Sequence, residues 1–208
     1  MRVTAICLSR GDQSMLDAAH ANWKAQTLRP REHDFVVVHD GTNPKLRCPP
    51  GRTVLVPPGT NLGERRNRAI NFAQGDIVAV WDDDDWSDPR RLELQVAALS
   101  ERCQATFLRD VTLEAPGRQA PCAMLSGWPQ TMVAFKEAVW NVGGYPEDQR
   151  FDGDTDLCME LQGRKGGVVL ELDAGLYRYR QHADNVTGSG HWDSLWEMAE
   201  RGVRTISE

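Results

Sequence analysis

The sequence predicts an α/β protein: one domain with a mostly parallel central sheet flanked by helices. Three observations carry this. Apolar runs of strand length alternate with segments of helical period through the first hundred residues. Glycine- and proline-bearing breaks separate them. Polar and acidic residues collect just after the runs, at the edge where open α/β sheets bind ligands.

Residues 3–8 form an apolar run, the pattern of a buried strand. Over 12–25, Met15, Leu16, Ala19 and Trp23 recur at helical spacing, with Asp12 or Ser14 placed as the cap. FVVV at 35–38 is the next strand and ends at His39, Asp40 and Gly41. Residues 53–56 are a third strand, stopped by PPG at 57–59. A helix over 62–73 is ended by Gly75, and a fourth strand over 77–81 runs into four aspartates, Asp82, Asp83, Asp84 and Asp85. Asp88 and Pro89 read as the N-cap and first position of a helix through 99. The order strand, helix, strand, strand, helix, strand is that of a mostly parallel sheet. The second half is less regular: a strand over 131–135, a helix over 136–142 stopped by Gly143 and Gly144, a helix over 154–161 ended by Gly163, strands at 168–172 and 176–179, and a last helix over 192–201.

The 208 residues are 40% hydrophobic, enough for one substantial core and too few for two typical domains. A 26% charged fraction with net charge -6 fits a globular chain and argues against broad binding to nucleic acid or anionic membrane, although 29–31 and 65–68 cluster arginines. The cysteines number five and lack C-x-x-C spacing, which disfavours a zinc ribbon or disulfide framework. Cys7 and Cys158 sit in apolar patterns and are expected to be buried thiols in a reducing compartment. With no signal-peptide pattern and no bilayer-length apolar run, a soluble, cytoplasmic protein is the expectation.

In an extended chain Asp82 and Asp84 face together, with Asp83 and Asp85 opposite until the chain turns. Adjacent carboxylates repel, and raised pKa values or a divalent cation relieve the conflict. Oxygen ligands suit Mg²⁺ or Mn²⁺, which complete their shells with ligand phosphates. A solvated acidic turn is the ordinary alternative, disfavoured by the buried-looking strand and by Trp81 and Trp86 on either side.

NLGERRNRA at 61–69, GDI at 75–77, WDDDDW at 81–86 and Pro89, taken in order, resemble the family 2 glycosyltransferases of GT-A (Rossmann-like) fold. QTLRP at 26–30, the strand ending in Asp40-Gly41, VGGY at 142–145 and YRQH at 179–182 ahead of NVT at 185–187 extend the resemblance over nearly the whole chain. It implies a single GT-A domain over 1–208, with a nucleotide-sugar-binding half to about 115 and an acceptor-binding half beyond. It also implies transfer from a nucleotide-sugar, favouring a UDP-sugar, to a hydroxyl acceptor, usually a glycan or lipid-linked glycan, with Mn²⁺ or Mg²⁺ at the Asp-x-Asp motif.

By the resemblance Asp40 accepts from the donor base, Arg66 approaches the diphosphate, Asp84 is the principal metal ligand, Asp82 supports nucleotide or ion, Asp85 touches the donor sugar and His182 completes the metal shell. Ser9 and Arg10, after the first strand, and Asp83 join the expected donor-contacting set. Asp154 is the candidate base. The family's Glu-Asp is Gly153-Asp154 in this chain, so Asp152 and Asp156 stay open as partners in the role. The implied chemistry is a direct displacement in which a carboxylate takes the acceptor proton and the metal stabilises the departing diphosphate. Inversion follows from the family analogy alone. Trp128 is placed either in the acceptor site, stacking on a sugar, or in the core; Trp192 and Trp196 read as packing residues.

Three alternatives stay open. A nucleotidyltransferase is disfavoured because the loop after the first strand, SRGD at 9–12, has one glycine. A catalytically silent sugar-nucleotide-binding module is favoured by Gly153. Transfer onto a hydroxymethylated base in viral DNA offers the same nucleophile, with the net charge against it and the arginine clusters for it.

Overall fold

The computed structural model describes residues 1–28, 33–49, 52–148, 153–183, 185 and 188–204. Arg29, Pro30 and Arg31 of the first basic cluster, Asp152, Val186 and Thr187 lie outside the described residues.

Strand β1 (Val3–Leu8) is followed by α1 (Gln13–Lys24), β2 (His33–His39), β3 (Arg52–Leu55), α2 (Leu62–Phe72), β4 (Ile77–Val80), β5 (Trp86–Ser87) and α3 (Arg91–Ala97). Then come β6 (Ala105–Leu108), β7 (Asp110–Ala115), β8 (Arg118–Ala123), β9 (Val133–Phe135), α4 (Lys136–Asn141), α5 (Gly153–Lys165), β10 (Val168–Leu170), β11 (Tyr177–Arg180) and α6 (Ser189–Arg204). Seven strands form the main sheet in the order β10-β6-β9-β4-β1-β2-β3. β1 pairs in parallel with β2 and β4, β2 with β3, and β10 with β6, while β9 is antiparallel to both neighbours. The expected mostly parallel sheet flanked by helices is the architecture found.

Alternation along the central strands divides the core, because successive side chains point to opposite faces. Val3, Ala5, Cys7, Phe35, Val37, Ile77 and Ala79 pack with Leu16 and Ala19 of α1 and Leu92 of α3. Ile6, Val36, Val38, Val78 and Val80 pack on the other face with Ala69 and Ile70 of α2, Val139 of α4 and Leu157 and Leu161 of α5. Covering both faces is why these strands read as unbroken apolar runs. Cys7 and Cys158 are buried, as expected.

A second sheet, β5-β11-β7-β8, contains the strand expected over 176–179 as β11, while β5, β7 and β8 were not expected. With α6 it encloses a third apolar cluster that holds Trp128, Tyr177, Tyr179, Trp192 and Trp196. The expected division near 115 falls at the turn of the β7–β8 hairpin, and β9 and β10 from beyond it complete the sheet begun before it, so the two parts share one core.

Local chemistry sets the element ends. Asp12 caps α1 by accepting from the Met15 amide at 3.0 Å, and Asn61 caps α2 by accepting from the Glu64 amide at 2.8 Å. Asp88 does not cap α3 as expected: its carboxylate accepts from the Arg90 amide at 2.9 Å in a turn, and the helix starts at Arg91. Gly163 does not end α5, which runs on to Lys165; Gly166, at φ +61, ends it, and a Cβ there would collide with the Arg102 carbonyl.

Candidate functional site

The chain leaves β4 at Trp81, whose ring is buried and whose Nε1 donates to the Ala19 carbonyl at 3.1 Å. It then bends at Asp83 and Asp84, so the four carboxylates reach four sets of partners in place of two faces. Asp82 lies 3.6 Å from Arg66, and Asp83 is hydrogen-bonded by the Ser9 side chain. Asp84 Oδ2 is 3.0 Å from His182 Nε2 and 3.4 Å from Asn185 Nδ2. Asp85 Oδ2 accepts from the Tyr177 hydroxyl at 2.5 Å, and its Oδ1 accepts from the Arg180 amide at 2.8 Å. Asp84 and His182, 98 positions apart, are thus brought together as the resemblance implied.

Burial, with like charges close by, raises the pKa values of three of these carboxyls. Burial pushes the Asp83 carboxyl up to about 7; the Ser9 hydrogen bond opposes this and the charges of Asp84 and Asp82 add to it. Burial likewise raises Asp82, against the pull of Arg66, and holds Asp85 well above the usual carboxylate range.

Arg66 bridges two carboxylates. Its side chain is 4% exposed, and the guanidinium pairs with Asp154 at the start of α5 and with Asp82, and sits over the Tyr145 ring at 5.2 Å. Nearly enclosed, it links Asp82 to the candidate base, and its Nε is buried without a hydrogen-bond partner. Trp128 is corrected. It is 2% exposed, its Nε1 donates to the Arg109 carbonyl and its ring packs against Tyr179 at 5.7 Å, so it belongs to the core and has no face for a sugar. Asp85 is corrected on the same ground: it is 7% exposed, and its oxygens accept from Tyr177 and from the Arg180 amide, which turns the carboxylate into the fold.

Asp40, at the exit of β2, accepts from Arg65 at 2.8 Å and from the Thr42 hydroxyl at 2.7 Å and amide at 3.1 Å. Burial raises its pKa, but these hydrogen bonds more than offset it and leave the carboxyl at about 2. Ser9 is buried at the exit of β1, its Oγ accepting from the Gly11 amide, and Arg10 beside it is exposed. A groove of about 760 Å³ opens along Asp83, Asp84 and His182, between Ser14 and Met15 of α1 and the turn of the β7–β8 hairpin.

No group of three or more His, Cys, Asp or Glu positioned for a metal occurs among the described residues. Asp82 is 3.6 Å from Arg66, while Asp84 pairs with His182. The pair still fits a hard divalent cation: one carboxylate and one imidazole converge at a groove, with the remaining shell open to phosphate and water. Asp83 Oδ2, in the same groove, is buried without a hydrogen-bond partner, a cost that a cation would remove.

Asn67 was missed as a working residue, although it stands in the Arg-Asn pair of the α2 motif. Its side chain accepts from the Tyr145 amide at 2.9 Å and donates to the Tyr145 carbonyl and to Glu147, both at 2.9 Å. A Cβ at Gly63 would collide with the Pro146 carbonyl oxygen. The motif therefore docks α2 against residues 145–147, the segment leading toward Asp154.

The family model described as Glycosyl transferase family 2 matches residues 24–131. No curated protein matches the chain. Among solved structures, S. aureus TarS 1-349 superposes with a TM-score of 0.68 at 18% identity, covering 86% of this chain and 60% of its own. The same TarS segment in complex with UDP-GlcNAc gives a TM-score of 0.69 at 18% identity, over 89% of this chain and 60% of that one. Mannosyltransferase PcManGT from Pyrobaculum calidifontis, in complex with GDP-Man and Mn²⁺, gives 0.61 at 18% identity, over 98% and 64%. At such identity the likeness shows a common fold, GT-A. The chain spans about 60% of the length of the TarS 1-349 chain it matches.

Proposed function

Since the chain belongs to glycosyl transferase family 2, we propose that it moves a sugar from a nucleoside-diphosphate sugar, with a UDP-sugar as the favoured donor, to a hydroxyl acceptor. The observation that carries this reading is the convergence of Asp84 and His182 at 3.0 Å on the ligand edge of a parallel sheet, beside Asp82, Arg66 and Asp154. The complexes of TarS with UDP-GlcNAc and of PcManGT with GDP-Man and Mn²⁺ support it by fold.

In this reading Asp84 and His182 hold a divalent cation, Mn²⁺ or Mg²⁺, whose chemistry when bound is neutralisation of charge on the departing diphosphate. Asp40 and the Ser9–Arg10 turn receive the nucleoside. Asp154, oriented by Arg66, takes the proton from the attacking hydroxyl, and a base on the face away from the leaving group gives inversion. The part of the chain to about 115 binds the donor, and the part beyond it supplies the acceptor side. The favoured acceptor is a glycan or lipid-linked glycan; hydroxymethylated DNA belongs in the same screen. No helix among the described residues is long and apolar enough to cross a membrane.

A catalytically silent nucleotide-sugar-binding module is the second reading, favoured by Gly153 in place of the family's Glu. A Cβ there would meet Pro146 at an ordinary 3.5 Å, so packing does not demand the glycine. The test is nucleoside diphosphate release from UDP- and GDP-sugars with Mn²⁺ and an acceptor panel. Release that is acceptor-dependent and lost in Asp154→Asn supports transfer. Donor binding without release under any acceptor supports the silent module.

A further inference from the structure

Asp85 spends both carboxylate oxygens on β11: Oδ2 on the Tyr177 hydroxyl and Oδ1 on the Arg180 amide. The residue before it is Asp84, and two residues beyond Arg180 stands His182. The short strand β5 continues the same seam, pairing antiparallel with β11 in the register Tyr177↔Ser87 and Arg178↔Trp86.

Beneath the seam lies Arg91, fully buried. Its guanidinium sits over the rings of Tyr177 and Trp81 at 4.9 and 5.2 Å. Its N–H groups donate to Ser87 Oγ at 2.9 Å, Gln95 Oε1 at 3.0 Å and the Val80 carbonyl at 3.1 Å. One cation thus holds the exit of β4, a residue of β5 and the ring whose hydroxyl binds Asp85. Desolvating a guanidinium is costly unless it is hydrogen-bonded, and each of its three nitrogens has an acceptor.

We propose that Asp85 and Tyr177, seated on Arg91, are positioning residues that lock the acidic run to β11 and thereby set the approach of Asp84 to His182. The proposal rests on the reading that Asp84 and His182 hold the cation at the donor site. Neither Asp85 nor Tyr177 touches the ligand; they act through the pair.

The test separates position from charge. An asparagine at 85 still accepts from the Arg180 amide and donates its amide N–H to the Tyr177 oxygen, so it keeps the lock and drops the charge. Alanine drops both. Free Mn²⁺ is followed by electron paramagnetic resonance with UDP present, and thermal unfolding of each variant confirms folding. Asp85→Asn is expected to stay within roughly threefold of the wild-type Mn²⁺ affinity, and Asp85→Ala and Tyr177→Phe to weaken it ~10-fold or more, the usual size of an outer-shell loss. Asp85→Asn as weak as Asp85→Ala would overturn the proposal, because the site would then be using the charge itself. Unchanged affinity in Asp85→Ala would overturn it too, and if that variant fails to fold, unchanged affinity in Tyr177→Phe does so. A wild type with no Mn²⁺-dependent UDP binding would sink the donor-site reading and this proposal together; wild-type binding with indifferent variants would sink the proposal alone.

Discussion

Replacing Arg66 with alanine removes a buried cation from between Asp82 and Asp154. The Arg66 side chain is 4% exposed, and those of Asp82 and Asp154 are 19% and 17% exposed. Removing one partner of a buried pair costs about 3–5 kcal/mol, and the residual exposure of the carboxylates sets this case at the lower end, about 3 kcal/mol. Loss of the contact with the Tyr145 ring at 5.2 Å adds about 0.5–1 kcal/mol. A chain of this size loses ~2–4 °C of Tm per kcal/mol, so a fall of ~7–16 °C is expected. Thermal and urea unfolding at pH 7 measure it. The cycle with Asp154→Asn should return a coupling of about 1–3 kcal/mol, since the two side chains touch. A fall below ~2 °C, the shift expected from about 0.5–1 kcal/mol, or strict additivity of the two substitutions would refute the role of Arg66 as the link between the acidic run and the base.

Three further predictions follow from single residues. The Asp40 carboxyl, at about 2 in the folded chain against 3.8 ordinarily, contributes stability that is present above pH ~4 and lost as pH falls toward 2. Arg65→Ala should raise that pKa and shrink this part of the acid-unfolding curve, and an unchanged curve would count against it. Asn67→Ala leaves the Tyr145 amide and carbonyl without their partner and should cost about 2–3 kcal/mol in urea unfolding. Trp128→Ala should cost about 3–5 kcal/mol while leaving UDP affinity of the folded protein unchanged; lost affinity with full stability would return Trp128 to the site.

The parallel half of the sheet was legible because its strands are buried on both faces and read as apolar runs, and because Asp12 and Asn61 announce their helices by local capping. The region from 100 to 125 was not. β8 is an edge strand with five of its six residues outside the core and Pro121 within it, so it carries no clear alternation. β5 has only two residues. The place of the acidic run at the exit of β4 was legible, and so was the approach of Asp84 to His182. What each aspartate does was hidden, since Asp85 is defined by a partner 92 positions away and Asp82 by a helix on another part of the chain. Trp128 left packing and stacking equally open, because an indole serves both and only burial decides.

Calorimetric titration with UDP, GDP and dTDP, with and without Mn²⁺, on the wild type and on Asp84→Ala tests the central claim most directly. Binding of one nucleotide, UDP being favoured, that depends on Mn²⁺ and is lost in Asp84→Ala is the expected result. Absence of binding to all three under both conditions, or Mn²⁺-dependent binding that survives in Asp84→Ala, would contradict it.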